Sequence, residues 1–276
     1  MSLTRSQFER AAALERCQAK LAQLAQMSPG TLTALLGGNA CEAADWVRCA
    51  AECGIAAAQV RLGRMLLEGA GVPRNEAAAF DWFARAAARR DAEALNMVGR
   101  CQENGWGAPV DLGRAAASYR ASADGGYDWG QYNLGNLLFD GRGVPRDQPQ
   151  ALRWYLRAAS QGHGRAMNLL GRCLEEGWGC RRSPREAFYW YGRSAASGYF
   201  RAQFNYAALL AERGSLDAAA HWFEAAAGGN ADIRRTIAAT LASATHPGLG
   251  HARARALGLI AADALTADAE LTSAAG

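Results

Sequence analysis

Residues 129–162, "WGQYNLGNLLFDGRGVPRDQPQALRWYLRAASQG", decide the fold of this chain. Apolar residues recur at helical spacing at their start, which predicts a helix from about Trp129 to Phe139. The segment "DGRGVPRD" then supplies two glycines that can take positive φ and a proline that cannot continue a helix. Asp147 is a strong N-cap, so a second helix is expected directly after it. The stretch therefore predicts two helices joined by a tight turn.

The same pattern returns every 36 residues along the chain. Gly63, Gly99, Gly135 and Gly171 mark it, and Ala207 continues the series. Four units of equal length span residues 55–90, 91–126, 127–162 and 163–198, and a fifth, 199–230, has lost four residues in its internal turn. Self-similarity at this period is the signature of a repeat protein built from stacked helix pairs.

The ends of the second helix are predicted from residues that recur at one register. The expected N-caps are Asn75, Asp111, Asp147 and Ser183. The expected left-handed C-terminal caps are Gly126, Gly162 and Gly198. Since four good caps at one register are hard to obtain by chance, a helix is predicted to begin at each.

Large aromatic residues mark the middle of the second helix. The pairs are Trp82/Phe83, Trp154/Tyr155, Trp190/Tyr191 and Trp222/Phe223. We expect these rings to fill the space between closely packed helices, and burial of each tryptophan contributes at most about 4 kcal/mol.

These motifs resemble the Sel-one-like repeat (SLR) family, whose members are related to tetratricopeptide repeats. Its unit reads roughly A-x-A-Q-Y-N-L-G, then G-x-G-V, then A-x-x-W-Y and A-A-x-x-G, and residues 129–162 match it almost throughout. Departures are Ser118 in place of tryptophan, Arg90 in place of the final glycine, and "GCRR" in place of "GVPR". The resemblance implies an all-α, right-handed α/α superhelical solenoid that binds other proteins.

Three regions follow from this assignment. Residues 1–54 are expected to hold an N-terminal capping helix and a degenerate first repeat, because Trp46 aligns with Trp82. Residues 55–230 hold the five repeats, and residues 231–276 hold C-terminal capping helices and a tail. In the first helix, Leu14, Cys17, Leu21 and Leu24 share one face, as a cap over exposed apolar surface requires.

Composition excludes several classes of function. Alanine is abundant, only seven prolines interrupt the chain, and no apolar run approaches membrane-spanning length. The N-terminus alternates charge and alanine and is unlike a secretory signal, so a cytoplasmic location is expected. The net charge of +4 is spread among interspersed acidic and basic residues, which argues against nucleic acid as a partner.

The nine residues "GRCQENGWG" at 99–107 return as "GRCLEEGWG" at 171–179. Cys101 and Cys173 fall where sister units have Met65, Leu137 and Leu209, so we interpret both as core residues and not as nucleophiles. The four histidines occupy unrelated repeat positions, so no catalytic arrangement and no cofactor site is predicted.

The remaining cysteines are predicted to be reduced thiols. Cys41, Cys49 and Cys53 form the one dense cluster, but it lacks a fourth ligand, so no metal site is expected. Cys173 and Cys180 are spaced somewhat like the disulfide pairs of secreted SLR proteins. Because only one unit has such a pair, both are interpreted as free.

The first helices of the units are expected to line a concave binding face, as in tetratricopeptide geometry. The predicted contacts are Asn96, Arg100, Trp129, Tyr132, Asn136, Phe139, Arg165, Asn168, Arg172, Glu175, Arg201 and Phe204. Asparagine and arginine could grip backbone amides and a carboxylate, and the aromatics could supply apolar pockets. Alternatively the face is merely solvated, with Arg64/Glu68 and Arg172/Glu176 as pairs within one helix.

The role of two tryptophans in the turns has two interpretations. Trp106 and Trp178 are either lids over helix ends or apolar anchors for a partner.

The predicted function is a non-catalytic module that binds a protein or peptide partner, as an adaptor or scaffold. We expect a monomer, with a dimer through open solenoid ends as the alternative. The resemblance leaves two other roles open: an accessory subunit of one enzyme, in an iron-linked setting, or a β-lactam-binding or hydrolysing protein.

Overall fold

The computed structural model describes residues 5–24, 26–28, 30 and 40–274, and all their regular structure is helical. The prediction of an all-α chain is therefore confirmed. The helices form two compact units, residues 1–146 and residues 147–276.

The first unit contains seven described helices. They are α1 Arg5–Leu24, α2 Ala40–Glu52, α3 Ala56–Glu68, α4 Glu76–Ala87, α5 Ala92–Asn104, α6 Leu112–Asp124 and α7 Asp128–Asp140. Each helix packs against the next one along the chain, and α3, α5 and α7 also contact one another in that order. The first helices of successive pairs thus lie side by side.

The second unit continues with seven helices. They are α8 Gln148–Ser160, α9 Gly164–Glu176, α10 Pro184–Ala196, α11 Phe200–Glu212, α12 Leu216–Ala226, α13 Ala231–Thr240 and α14 Pro247–Ala274. Neighbouring helices pack pairwise, α9 contacts α11, and α14 packs against both α12 and α13. Apolar residues of α13 and α14, including Ile237 and Ala252, join the core around Phe223, so these helices cover the last pair.

Asparagine and aspartate cap the second helices as predicted. The side chains of Asn75, Asp111 and Asp147 each accept a hydrogen bond from a main-chain N–H three residues on, at 2.8–2.9 Å. Ser183 occupies the same register without a capping bond, since its hydroxyl donates to Glu186 at 2.9 Å. The helix starts are confirmed, but the predicted serine cap is not formed.

The C-terminal end of the second helix follows the predicted left-handed conformation. Gly126, Gly162 and Gly198 have φ of 87°, 94° and 87°. Arg90, which replaces glycine in the first full repeat, keeps the same conformation with φ of 61°. The backbone geometry is thus retained where the residue type is not.

The aromatic pairs are buried differently from the prediction. The second member of each pair, together with Tyr119, is almost completely buried, whereas Trp82, Trp190 and Trp222 are half-buried. Trp154 is 7% exposed. Arginines one turn on cover part of the outer rings, as Arg85 does over Trp82 at 4.4 Å. The helix therefore points the residue after tryptophan at its partner helix, and every tryptophan of these pairs except Trp154 lies at the edge of the core.

Candidate functional site

The predicted contacts lie on the first helices of the pairs. In the first unit they are Asn96 and Arg100 on α5, and Trp129, Tyr132, Asn136 and Phe139 on α7. In the second unit they are Arg165, Asn168, Arg172 and Glu175 on α9, and Arg201 and Phe204 on α11. Each unit thus brings its own subset together on neighbouring helices.

Two of the predicted clamp residues are used inside the protein. Asn96 and Asn168 are 3% and 8% exposed. The amide oxygen of Asn96 accepts from Asn133 Nδ2 at 2.8 Å, and that of Asn168 accepts from Asn205 Nδ2 at 2.9 Å. Each bond joins two adjacent first helices, so these amides are structural links between helices.

The turn tryptophans stack against arginines of the preceding helix. The guanidinium of Arg100 lies 5.1 Å from the ring centre of Trp106, and that of Arg172 lies 5.0 Å from that of Trp178. Both indoles are half-buried and both arginines are exposed. Trp106 also packs against the core cluster around Phe83. The indole of Trp106 thus covers core atoms and also holds a cation, and that of Trp178 holds a cation.

A carboxylate network surrounds the Arg100 stack. Glu103 accepts hydrogen bonds from the hydroxyl of Tyr119 at 2.7 Å and from Arg142 Nη2 at 2.6 Å. Burial, with the bond to Glu103, raises the pKa of Tyr119 above its usual range. Because Arg142 neutralises Glu103, that carboxylate is not available to pair with Arg100.

The second unit repeats this arrangement without the arginine. Glu175 accepts from Tyr191 at 2.8 Å, and burial again raises the pKa of that tyrosine. The residue 72 positions after Arg142 is Gly214. Within the described residues, Glu175 therefore stays without a basic partner.

The predicted aromatic contacts differ in exposure. Trp129 is 38% exposed, and its ring stands edge-on to that of Tyr132 at 6.0 Å. Asn136 and Phe139 are half-buried. Phe204 instead packs against Phe223 at 5.5 Å, at the margin of the core.

Two further predicted contacts in the second unit, Arg165 and Arg201, are exposed arginines. Arg165 lies 6.0 Å from the ring centre of Tyr199. Arg201 is exposed on α11. The exposed members of the predicted contacts are thus Trp129 and Arg100 in the first unit and Arg165, Arg172 and Arg201 in the second.

A cleft of about 260 Å³ lies beside the Arg100 stack in the first unit. Its lining residues are Arg64, Leu67, Glu68, Arg74, Met97, Arg100 and Trp106. Arg74 and Met97 were missed in the sequence, because neither occupies one of the positions on the first helices that were predicted to line the binding face. The only sequence signal for Arg74 was its place in the turn that opens onto the first helix.

The ion pairs of this cleft are not the predicted ones. Arg64 pairs with Glu93 of the next first helix and not with Glu68, one turn along its own helix. Arg74 pairs with Glu76 at 2.6 Å. Likewise, Arg172 and Glu176 form no ion pair in the part of the chain that the structure describes. A partner on a neighbouring helix is selected over one on the same helix.

The cysteines of the duplicated motif are core residues. Cys101 and Cys173 are 0% and 2% exposed, and burial raises the pKa of each thiol from 9.0 to about 12. Because the thiolate is the reactive form, these side chains are poor nucleophiles. The thiol of Cys180 faces the main-chain carbonyl of Cys173, at 3.6 Å, and both cysteines are free.

The described residues show neither a cluster of metal ligands nor a membrane-spanning helix. They hold no group of three or more histidine, cysteine or acidic side chains placed to share a metal ion. None of their helices is both long and apolar enough to cross a lipid bilayer.

Paired helices that repeat at a fixed spacing and stack on their neighbours define an all-α helical repeat solenoid. The Sel1 repeat family model matches residues 56–91, 92–127, 130–163 and 164–199. The chain therefore belongs to the Sel1 repeat family, as its resemblance to SLR proteins predicted.

Solved structures show the same fold. A protective antigen of uropathogenic Escherichia coli with an SLR fold matches at a TM-score of 0.68 and 24% identity, over 92% of this chain and 56% of the antigen. A Sel1 repeat protein from Oxalobacter formigenes matches at 0.66 and 23% identity, over 79% of this chain and 97% of that protein.

An immunity protein from Pseudomonas aeruginosa matches at 0.55 and 20% identity, over 78% of this chain and 83% of its own. The chain thus spans little more than half of the E. coli antigen but most of the other two. No curated protein matches the sequence significantly.

Proposed function

We propose that this chain is a protein-interaction module that binds an acidic segment of a partner in the cleft beside Arg100. Sel1 repeats generally serve as non-catalytic interaction scaffolds. One observation carries the proposal: the exposed guanidinium of Arg100 is held over Trp106 at this cleft and has no carboxylate partner among the described residues.

The charges of the cleft favour an acidic ligand. Three arginines line it against one glutamate, Glu68. Glu93 and Glu76 offset Arg64 and Arg74, so Arg100 and Glu68 are the two charges of the lining without an ion-pair partner among the described residues, and Arg100 is the cation of the two. A guanidinium binds a carboxylate through two parallel hydrogen bonds, and stacking on an indole limits the rotamers that it loses on binding. Carboxylate recognition at Arg100 is therefore the chemistry proposed.

The apolar lining supplies the second part of the interaction. Leu67, Met97 and the indole of Trp106 can contact the side chain beside the bound carboxylate. We propose Trp129, Tyr132, Asn136 and Phe139 as further contacts in the first unit. In the second unit the proposed contacts are Arg165, Arg172, Glu175, Trp178, Arg201 and Phe204.

A peptide array tests this function. The array would carry Asp- and Glu-containing peptides with free or amidated C-termini, beside Asn and Gln counterparts. We expect Arg100→Ala to weaken binding of the acidic peptides by roughly 10-fold or more, because a charge-assisted hydrogen bond is worth about 1.5–3 kcal/mol. Arg61→Ala, an exposed arginine outside the cleft lining, is the matched control. Equal binding by the wild-type protein and Arg100→Ala, at equal melting temperature, would contradict the proposal.

A second candidate is dedicated binding of one protein. The fold similarity to an immunity protein over 78% of this chain favours it. Isolation from the native cell, which we propose to be a bacterium, would then yield a complex of fixed stoichiometry. A mixture of unrelated partners would favour the general adaptor.

We further propose that the protein is a cytoplasmic monomer without a cofactor or a catalytic role, in agreement with the buried Cys101 and Cys173.

A further inference from the structure

Two cysteines on different helices of the first unit meet side by side. Cys17 on α1 and Cys49 on α2 are 32 positions apart in the sequence, and their Sγ atoms are separated by 2.7 Å. Both are free thiols. Because a disulfide requires sulfurs about 2.0 Å apart, only a small movement separates this pair from a covalent bond.

We propose that Cys17 and Cys49 are a redox pair, which forms a reversible disulfide that fastens α1 to α2. The sequence predicted reduced thiols throughout. It grouped Cys49 with Cys41 and Cys53 and did not pair it with Cys17. The assignment rests on the contact between two helices and is independent of the function proposed above.

A cleft of about 560 Å³ gives access to the pair. Cys17 and Cys49 both line it, together with the basic residues Arg16, Lys20 and Arg48 and the acidic residues Asp45 and Glu52. Cys49 is half-buried, whereas Cys17 is 5% exposed. A small anionic disulfide such as glutathione disulfide matches the excess of basic over acidic residues in this lining, and Cys49 is the sulfur that it reaches first.

The reaction is a thiol–disulfide exchange in two steps. The Cys49 thiolate attacks one sulfur of glutathione disulfide, which forms a mixed disulfide and releases one glutathione. The Cys17 thiol then loses its proton and attacks the Cys49 sulfur, which forms the Cys17–Cys49 bond and releases the second glutathione. The protein gives up two electrons and two protons, and glutathione disulfide is reduced to two thiols.

The surroundings of Cys17 suit the second step. Its Sγ lies 3.2 Å from Glu52 Oε2, which is placed to accept the proton. Burial, with Cys49 and Glu52 nearby, raises the pKa of Cys17 to about 12. Cys17 is therefore a poor first nucleophile and suits the resolving position, beside a sulfur that is already activated.

The Cys17–Cys49 disulfide would hold α1 against α2, the helix on which it already packs. Lys20 of α1 lies 4.9 Å from the ring centre of Trp46 on α2, and Trp46 is 8% exposed. The disulfide would join residues 32 positions apart and so restrict the unfolded chain. Oxidation is therefore expected to raise the melting temperature by roughly 5 °C.

The test equilibrates the full chain in buffers of varied glutathione disulfide to glutathione ratio, blocks free thiols by alkylation, and maps them by peptide mass spectrometry. We expect an intramolecular link between the Cys17 and Cys49 peptides, which dithiothreitol reverses. Cys53→Ser and Cys41→Ser should keep the link, because neither residue belongs to the pair.

The two halves of the pair give different expected products. Cys17→Ala should leave Cys49 trapped as a mixed disulfide with glutathione, whereas Cys49→Ser should leave Cys17 unmodified in the folded protein. Should the wild-type protein show both thiols separately alkylated at every ratio, or should Cys49 pair with Cys53 or Cys41 instead, the assignment would be wrong. Cys17→Ser serves as a second variant if Cys17→Ala fails to fold.

Discussion

Gly99 lies so close to the ring of Tyr119 that a β-carbon added to Gly99 would stand 2.7 Å from both Cδ1 and Cε1. Gly63 meets Phe83 in the same way, and Gly171 meets Tyr191. At Gly63, Gly99 and Gly171 the first helix of a pair therefore receives the ring of the second. In the fifth repeat Ala207 takes this place, in a core shared with Phe223.

Replacement of Gly99 by alanine is expected to destabilise the first unit. A methyl group improves helix propensity by about 1 kcal/mol, but the clash with a fully buried ring costs about 1–3 kcal/mol. We expect a net loss of up to about 2 kcal/mol in chemical denaturation. Gly113→Ala, in α6, is the control, since the nearest atom to its added β-carbon is 3.4 Å away. A Gly99→Ala variant as stable as Gly113→Ala would show that the ring can shift.

Arg90 offers a substitution expected to stabilise the protein. Its φ of 61° costs a residue with a side chain about 1–2 kcal/mol, and the greater freedom of glycine in the unfolded chain offsets about 0.4–1 kcal/mol. Arg90→Gly should therefore gain roughly 0.5–1 kcal/mol, measured by thermal unfolding. Gly126→Ala should lose about 1 kcal/mol from backbone strain alone, because its β-carbon would meet nothing within 4 Å. A loss of stability on Arg90→Gly would contradict this account.

The buried thiols predict a loss of stability at alkaline pH. The pKa of Cys101 and Cys173 is about 12 in the folded state and near 9.0 when exposed, so above pH 9 the unfolded chain releases protons that the folded chain keeps. Their contribution is complete below pH 9 and falls by up to about 1.4 kcal/mol per pH unit for each thiol as the pH rises toward 12.

The measurement is the unfolding free energy from pH 8 to pH 11 in the presence of a reductant. The double variant Cys101→Ala, Cys173→Ala should show a shallower decline than the wild-type protein. Cys41→Ala, which removes an exposed thiol, should leave the slope unchanged. Equal slopes for all three proteins would mean that the buried thiols ionise without unfolding.

The turn tryptophans are expected to contribute to stability and to orient their arginines. Trp106→Ala and Trp178→Ala should each cost about 1–3 kcal/mol, because both indoles are half-buried. A double-mutant cycle with Arg172→Ala and Trp178→Ala should give a coupling of about 0.5–1 kcal/mol for the cation–π stack. Zero coupling would show that each side chain acts alone.

Local chemistry made the helix pairs predictable. The N-caps Asn75, Asp111 and Asp147 and the turn glycines act within a few residues, so the sequence alone locates the helix ends. The side-chain environment was predicted less well. The tryptophans were expected in the core, but the adjacent ring enters it, because a shift of one residue turns a helical side chain by about 100°.

Contacts between pairs were harder to predict than contacts within them. Arg64 was matched with Glu68 on its own helix, yet Glu93 on the neighbouring helix is its partner. The contact between Cys17 and Cys49 lies outside the repeat, so no sister unit could reveal it. Such choices depend on how helices stack, and a single sequence carries no direct record of that.

The amide hydrogen bonds that link adjacent first helices recur after 72 residues, which is twice the period of the repeat. The Asn96–Asn133 bond and the Asn168–Asn205 bond are related by 72 residues, and so are the bonds of Ser122 to the Ala92 carbonyl and of Ser194 to the Gly164 carbonyl. Each compact unit holds one copy of both. We therefore expect that this protein would be lengthened or shortened in steps of two repeats, because a block of 72 residues carries one copy of both bonds and a block of 36 does not.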